Sequence, residues 1–243
     1  MLKKVFLFLL FYGFGWIWAQ QGHPLHLQNF DGFSFEEYLK YLHDDGWQVD
    51  SINNLQEAHY LSDHEKMMVL AMNLLRSDPA RFSMLYVYPR FQYFEGTLFR
   101  FPGRTPTRTR EGIEALRELY LLLLEAEPRP LLKPSPGLSR AAKGHANYMK
   151  NTGYAGHDGN GGIAQRISRQ GRWSGGVAEN LIWSVSNPHD AIVELLIDDG
   201  VRGRGHRINI LNPAYLYVGV AAEPHPRLAR SYVTNFAVSF TEK

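Results

Sequence analysis

The sequence predicts an α+β domain with an antiparallel sheet. Helical patterns fill the middle of the chain, and two strand-like runs lie near its end, Y-L-Y-V-G-V-A-A (215–222) and S-Y-V-T-N-F-A-V-S-F (231–240). A polar loop containing proline separates the two runs, which is typical of an antiparallel hairpin. Helices that precede strands, rather than alternating with them, favour the α+β class. A hydrophobic content of 44% is that of an ordinary globular core.

The N-terminus has the pattern of a secretory signal. Lys3 and Lys4 precede an uncharged apolar run, Val5–Trp18, and Ala19 offers a small residue for cleavage. The run is shorter than the roughly 20 residues that span a bilayer. We therefore expect a signal peptide at 1–19, with a retained anchor as the alternative. The mature chain is expected to be secreted or periplasmic, with no transmembrane segment.

Composition excludes several classes of protein. The chain has no cysteine, which rules out disulfides and a cysteine nucleophile. A net charge of +2 is too small to indicate binding to nucleic acid or to anionic membranes. No G-x-S-x-G motif is present, so an α/β-hydrolase is not indicated.

Residues 20–61 are interpreted as an N-terminal extension packed on a main domain, 62–243. F-S-F-E-E-Y-L-K-Y-L (33–42) has helical spacing, with Ser34 as the N-cap. The main domain begins at S-D-H-E (62–65), a capping-box sequence, and its first helix is expected to end near Asp78-Pro79.

The segment 84–127 is expected to hold a hairpin, an exposed loop and a leucine-rich helix from 111 to 125. A further helix enters at Pro134 and Pro136, and its apolar stripe runs from Leu138 to Met149. His145 falls on this stripe and is interpreted as a hydrogen-bonded core residue.

The next part of the chain is richer in glycine and polar groups. It is expected to form a loop at 156–162, a helical turn at 164–169 and a strand at 176–183. A helix from Pro188 to Asp198 or Asp199 follows, and then a loop that enters a helical turn at 203–213.

Two histidines and nearby acids are the candidate site. His157 and His206 each follow a glycine, and Glu179 lies inside an apolar strand, where an unpaired charge is disfavoured. Asp198 or Asp199 could turn inward at the end of the preceding helix. Imidazoles and carboxylates are suitable ligands for zinc. However, the spacing is not that of a zinc finger and H-E-x-x-H is absent, so spacing alone indicates a metal only weakly.

The ordered motifs resemble the CAP superfamily, also called SCP, which includes the cysteine-rich secretory, antigen 5 and pathogenesis-related 1 proteins. The motifs are N-L-L-R (73–76), A-A-K-G-H-A-N-Y-M (141–149), G-H-D-G (156–159), A-E-N-L (178–181), G-H-R-I-N-I-L (205–211) and Y-V-G-V (217–220). The likeness is to the bacterial secreted branch without disulfides and covers roughly 62–82 and 128–240. The segment 84–127 then looks like an insertion.

The resemblance implies an α-β-α sandwich with a central, mainly antiparallel sheet. It also implies a cleft in which His157, Glu179, His206 and one acid, Asp198 or Asp199, bind a divalent cation such as zinc. Ala178 replaces the family's usual glycine. Some relatives bind sterols or fatty acids, and no general reaction is established for the family.

These observations lead to three hypotheses. The first is a binding or interaction module whose partner is an unknown small molecule, lipid or protein. The alternative is a secreted metal-dependent hydrolase in which Glu179 or an aspartate acts as general base on a metal-bound water. In the third, the histidines and acids only form a network that joins loops to the sheet. The sequence leaves open whether the protein is an enzyme. The favoured interpretation is that it is not one.

Overall fold

The computed structural model describes residues 29–243. The predicted signal peptide at 1–19 lies outside the described residues. Within residues 29–243, no helix is both long and apolar enough to cross a membrane.

The N-terminal segment forms two helices, α1 (Phe35–Asp44) and α2 (Val49–Ile52). Helix α1 begins at the predicted N-cap. The Ser34 hydroxyl accepts from the Glu37 amide at 3.2 Å, and the Glu37 carboxylate accepts from the Ser34 amide at 2.7 Å. This reciprocal pair satisfies amides that have no partner within the helix.

Helix α3 (Asp63–Ser77) starts with the predicted capping box, and a short helix α4 (Pro79–Phe82) follows directly. The burial of α3 is not confined to one face, because every residue from Met67 to Arg76 is buried. Glu65 is also buried, and its carboxylate accepts from the amide of Ala222 at 3.1 Å. Helix α3 is therefore a central helix of the core.

The segment after α4 contains the predicted hairpin and two helical turns that the sequence did not indicate. A π-helical turn (Ser83–Val87) and a 3-10 turn (Tyr88–Tyr93) come first. Strands β1 (Phe94–Glu95), β2 (Leu98–Phe99) and β3 (Thr107–Arg108) then form a small antiparallel sheet. Helix α5 (Ile113–Glu125) follows close to its predicted limits.

The main sheet has the strand order β4-β6-β7-β5. Its strands are β4 (Lys133–Pro134), β5 (Gly171–Trp183), β6 (Tyr217–His225) and β7 (Ala229–Glu242). The pairs β5–β7 and β6–β7 are antiparallel, and the short β4 runs parallel to β6. The remaining helices are α6 (Pro136–Thr152), α7 (Ile163–Ser168), α8 (Pro188–Ile197) and α9 (Gly205–Leu211).

Alternate residues of the strands face opposite helical layers. Leu181, Ala221 and Val233 pack with Ala142 and Ala146 of α6 on one face of the sheet. The other face belongs to the large core shared with α3, α5 and α8, to which β6 and β7 contribute Val218, Val220, Tyr232 and Phe236. The α-β-α sandwich with a mainly antiparallel sheet is therefore confirmed.

Residues 30–61 contribute to this large core rather than forming a separate one. Phe30, Leu42 and Trp47 belong to the same buried cluster as α3 and α8. The Tyr38 hydroxyl lies 2.8 Å from Nδ1 of the buried His189, on α8. The N-terminal segment is thus fixed to the domain by both packing and a buried polar contact.

Candidate functional site

His157 lies in the glycine-rich loop between α6 and α7 and contacts strand β5. Its Nδ1 is 2.9 Å from Oε1 of Glu179. The Glu179 side chain is fully buried, whereas 43% of the His157 side chain is exposed. A buried carboxylate therefore holds a ring whose opposite edge reaches the surface.

Arg166, on α7, is the residue that fixes both of these groups. Its Nη2 donates to the two oxygens of Glu179 at 2.8 and 2.7 Å. Its Nη1 donates to the carbonyls of His157 and Gly159, each at 2.8 Å, and to that of Gly161. One guanidinium thus neutralises the buried carboxylate and closes the loop that carries His157. Sequence reasoning missed Arg166, because an arginine in a short helical turn gives no sign of its partners.

Two further buried side chains surround Glu179. His145 donates from Nε2 to the Gly156 carbonyl at 2.8 Å and lies 3.9 Å from Glu179 Oε1. Burial lowers the pKa of His145 and so favours the neutral form of the ring. Asn235 lies opposite Glu179 in the β5–β7 register. With its amide nitrogen turned toward the carboxylate, it donates to Glu179 Oε2 at 3.1 Å. The interpretation of His145 as a hydrogen-bonded core residue is confirmed.

His206 forms the second pair with Asp198. Asp198 Oδ1 lies 2.6 Å from His206 Nδ1, and Oδ2 accepts from the His206 amide at 3.0 Å. The Asp198 side chain is 1% exposed and that of His206 is 24% exposed. As at Glu179, a buried carboxylate orients a partly exposed imidazole. The structure thereby decides between the two aspartates as the partner of His206.

Asp199 points to a different part of the molecule. Its two carboxylate oxygens accept from the backbone amides of Arg110 at 2.7 Å and of Glu111 at 2.9 Å. Both oxygens therefore bind the segment that precedes α5, and neither is placed toward a histidine.

The two histidine–carboxylate pairs are anchored on consecutive residues of β5, which is an edge strand. Glu179 faces α6 and α7. The next residue, Asn180, has the opposite orientation, and its amide donates to the His206 carbonyl at 3.0 Å. Asn209 in turn donates to Asn180 at 2.8 Å, which fixes α9 to the strand. The loop that carries His157 and the helix that carries His206 are thus attached to neighbouring residues of the same strand.

Of the candidate ligands, only the imidazoles of His157 and His206 have a nitrogen free to bind a cation. Among residues 29–243 no three His, Asp or Glu side chains form a group that could hold a metal ion. The Glu179 oxygens already bind Arg166, and the Asp198 oxygens bind His206. In the described part of the chain, Nε2 of His157 and Nε2 of His206 have no hydrogen-bond partner. Metal ligation by His157, His206, Glu179 and one of the two acids, Asp198 or Asp199, stays a prediction, and of these two acids the structure places Asp198 beside His206 and Asp199 at the segment before α5.

Comparison with known proteins identifies the family. The model of CAP, described as the cysteine-rich secretory protein family, matches residues 99–238, which is more than half of the chain. The chain belongs to the CAP family. All five predicted site residues lie inside this match. The match begins within the segment predicted as an insertion, 84–127, so that division of the CAP domain stays a prediction.

Several solved structures are similar to parts of this CAP protein. An extracellular protein with an SCP domain from Bacillus anthracis is 25% identical, with a TM-score of 0.36 over 45% of this chain and 34% of its own. An outer surface protein from Borrelia burgdorferi is 16% identical, with a TM-score of 0.36 over 46% and 78% of the two chains. Venom allergen-like protein 4 from Schistosoma mansoni is 13% identical, with a TM-score of 0.42 over 75% and 92%. A comparison with curated proteins finds no match.

Proposed function

We propose that this chain is an exported CAP-family binding module whose ligand contacts are the Nε2 atoms of His157 and His206. A divalent cation such as zinc is the ligand proposed. One observation carries the proposal: each ring directs Nδ1 to a buried carboxylate and leaves Nε2 without a partner among the described residues.

This arrangement suits a histidine that binds a ligand. A carboxylate that accepts from Nδ1–H fixes the neutral tautomer in which Nε2 carries the free lone pair. The same contact orients the ring and raises the basicity of Nε2, and it accompanies most metal-ligating histidines. Glu179 and Asp198 would then act on a cation through the rings, and solvent would complete its coordination.

The hydrolase alternative requires a carboxylate that can take a proton from a bound water. Glu179 is poorly suited to this role, because both of its oxygens bind Arg166 and its side chain is fully buried. Asp198 is engaged with the ring and backbone of His206. We therefore favour binding over hydrolysis.

Export is supported by two features: the signal-like pattern at 1–19 and the family description as secretory proteins. By the resemblance, the alternative partners are a sterol, a fatty acid or a protein.

Calorimetry with zinc tests the proposal on chelator-treated protein lacking residues 1–19. We expect His157→Ala and His206→Ala each to weaken binding by at least about 10-fold, because each removes a proposed ligand. The double variant should show no binding. His59→Ala is the matched control, since that side chain is 80% exposed and lies in the N-terminal segment.

Thermal unfolding without metal separates binding from a purely structural network. If the histidines only join loops to the sheet, both single variants lose stability in metal-free protein and zinc has no effect on either the wild type or the variants. Unchanged zinc affinity in the double variant contradicts the metal proposal.

A further inference from the structure

The loop that leads to His206 is attached to the start of helix α5 by contacts in both directions. Asp199 accepts from the backbone amides of Arg110 and Glu111. In return, Glu111 Oε1 accepts from the amide of Gly200 at 2.6 Å. Each segment therefore binds the backbone of the other through a carboxylate, which fixes their relative position.

Arg204 adds a second layer to this attachment. Its Nη1 and Nη2 donate to the two oxygens of Glu111, each at 2.6 Å. Nη1 also donates to the carbonyl of Asp198 at 2.8 Å, and Nε donates to Glu118 at 3.1 Å. A bidentate arginine–carboxylate pair specifies geometry as well as adding energy. Arg204 is the residue before α9, only two positions from His206.

Arg207 holds the chain on the other side of His206. It is 2% exposed and donates to Glu118 at 2.6 Å and to the Leu196 carbonyl, at the end of α8, also at 2.6 Å. Glu118 of α5 thus binds arginines on both sides of His206. Helix α5 reaches the proposed binding residue through these two side chains.

The lowered pKa values of Glu111 and Glu118 agree with a stable contact between these carboxylates and Arg204. The hydrogen bonds from Arg204 and then from Gly200 lower the pKa of Glu111 to about 2. Arg204 also lowers the pKa of Glu118. Both glutamates are partly exposed, so solvent screens these pairs and each adds little to global stability. Their effect is on the local geometry of the loop.

We propose that the carboxylates of Glu111, Glu118 and Asp199, together with the guanidinium of Arg204, form a positioning clamp for His206, with Glu111 and Arg204 as the positioning residues. This inference rests on the proposed function of His206 as a ligand contact. The clamp holds the backbone from Asp198 to Arg207, so the Asp198 carboxylate stays in line with Nδ1. Once the clamp is broken, the Asp198 carboxylate and the His206 ring adopt more than one position relative to each other. The Nε2 atom of His206 then no longer points in one fixed direction.

Two variants break the clamp, and a third serves as control. Arg204→Met removes the guanidinium and keeps an apolar stem, whereas Glu111→Gln keeps the acceptor for Gly200 and weakens the charged pair. Arg117→Met is the control, because Arg117 lies on the same helix and pairs with Glu114 one turn away. Glu111→Gln keeps the test usable if Arg204→Met does not fold, and thermal unfolding checks all three proteins.

The first readout is zinc affinity by calorimetry. Both clamp variants should bind zinc about 10-fold more weakly, as with other partners that orient a metal ligand. The second readout needs no metal: imidazole ¹⁵N chemical shifts at one alkaline pH report which ring nitrogen of His206 carries the proton. The wild type and Arg117→Met should show the Nδ1–H form, and the clamp variants a mixture of both tautomers.

The two readouts separate failure of the clamp from failure of the proposed function. If the wild type binds zinc and folded clamp variants bind it equally well with the Nδ1–H form intact, the clamp proposal is wrong and the proposed function stands. If the wild type does not bind zinc, the metal proposal fails, while a mixture of tautomers in the clamp variants still supports the clamp. A pure Nδ1–H form in every variant contradicts the clamp in either case.

Discussion

Replacing Arg166 by methionine should be among the most destabilising single changes in the candidate site. The substitution keeps most of the apolar stem and removes the guanidinium. It leaves the Glu179 carboxylate, which is fully buried, without its cationic partner. It also removes the donor to the carbonyls of His157, Gly159 and Gly161.

The expected loss follows from the burial of both partners. The side chains of Arg166 and Glu179 are 2% and 0% exposed, so solvent screening is small. Breaking a buried ion pair by removing one partner costs about 3–5 kcal/mol, because the other charge stays buried and uncompensated. We expect about 4 kcal/mol for Arg166→Met. For a domain of this size, that corresponds to a decrease in Tm of about 12 °C.

Urea unfolding followed by tryptophan fluorescence measures this loss, with the m-value as a check on two-state behaviour. Arg169→Met is the control, since Arg169 is exposed and donates to the Asn160 carbonyl at 3.2 Å. It should change stability by less than about 0.5 kcal/mol. Arg166→Met/Glu179→Gln tests the cause, because a neutral amide should recover a large part of the loss. A loss below about 1 kcal/mol in Arg166→Met refutes the reasoning.

Three further predictions concern other parts of the molecule. Burial raises the pKa of the Asp45 carboxyl from 3.8 to about 7. The favourable contribution of this carboxyl to the free energy of unfolding is therefore fully present below pH 3.8 and is lost as the pH rises through 7. Asp45→Asn should therefore be more stable than the wild type at pH 8, by on the order of 3 kcal/mol, and should lose this advantage near pH 4 in urea titrations. Burial lowers the pKa of His189 to about 4, so its contribution is present above pH 6.5 and lost as the pH falls through 4. Between pH 6.5 and pH 4, His189→Phe should reduce the slope of the free energy of unfolding against pH by up to about 1.4 kcal/mol per pH unit. An unchanged slope contradicts this prediction. A Cβ on Gly219 would lie 2.1 Å from the carbonyl carbon of Leu138, so Gly219→Ala should cost about 3 kcal/mol or prevent folding. Gly144→Ala on the exposed side of α6 should instead add up to about 1 kcal/mol.

The fold was largely predictable because its strongest signals are local. The capping residues Ser34 and Ser62 mark helix starts through contacts within four residues, and both are confirmed. The closing hairpin was predicted from the alternation of two neighbouring runs. The turns at 83–93 were missed, since aromatic and proline residues there fit a strand as well as a helical turn. Tertiary packing of Phe82 and Tyr86 around His189 involves distant residues, which local pattern does not record.

The two histidines and Glu179 of the candidate site were predictable from the sequence, but their partners were not. Glycine-flanked histidines and a charged residue in an apolar strand are visible in the sequence, and the structure pairs His157 with Glu179. The partners that decide what Glu179 does are 13 residues away in Arg166 and across the sheet in Asn235. A buried carboxylate requires compensation, but the sequence does not say whether a guanidinium, an imidazole or a cation provides it.

The choice between Asp198 and Asp199 shows where helical periodicity stops being a guide. On a continuing helix, Asp199 would share the apolar arc of Ile192 and Leu195, which makes it the better candidate for an inward position. Helix α8 instead ends at Ile197, and Asp198 adopts a left-handed backbone with φ 56° and ψ 40°. Aspartate tolerates this conformation better than most residues with a side chain. Because the chain reverses at Asp198, that carboxylate turns back to the His206 amide and ring, while Asp199 moves outward to the start of α5. Because of the left-handed conformation at Asp198, the carboxylate of Asp198 binds the His206 imidazole, and the carboxylate of Asp199 becomes part of the clamp that positions His206.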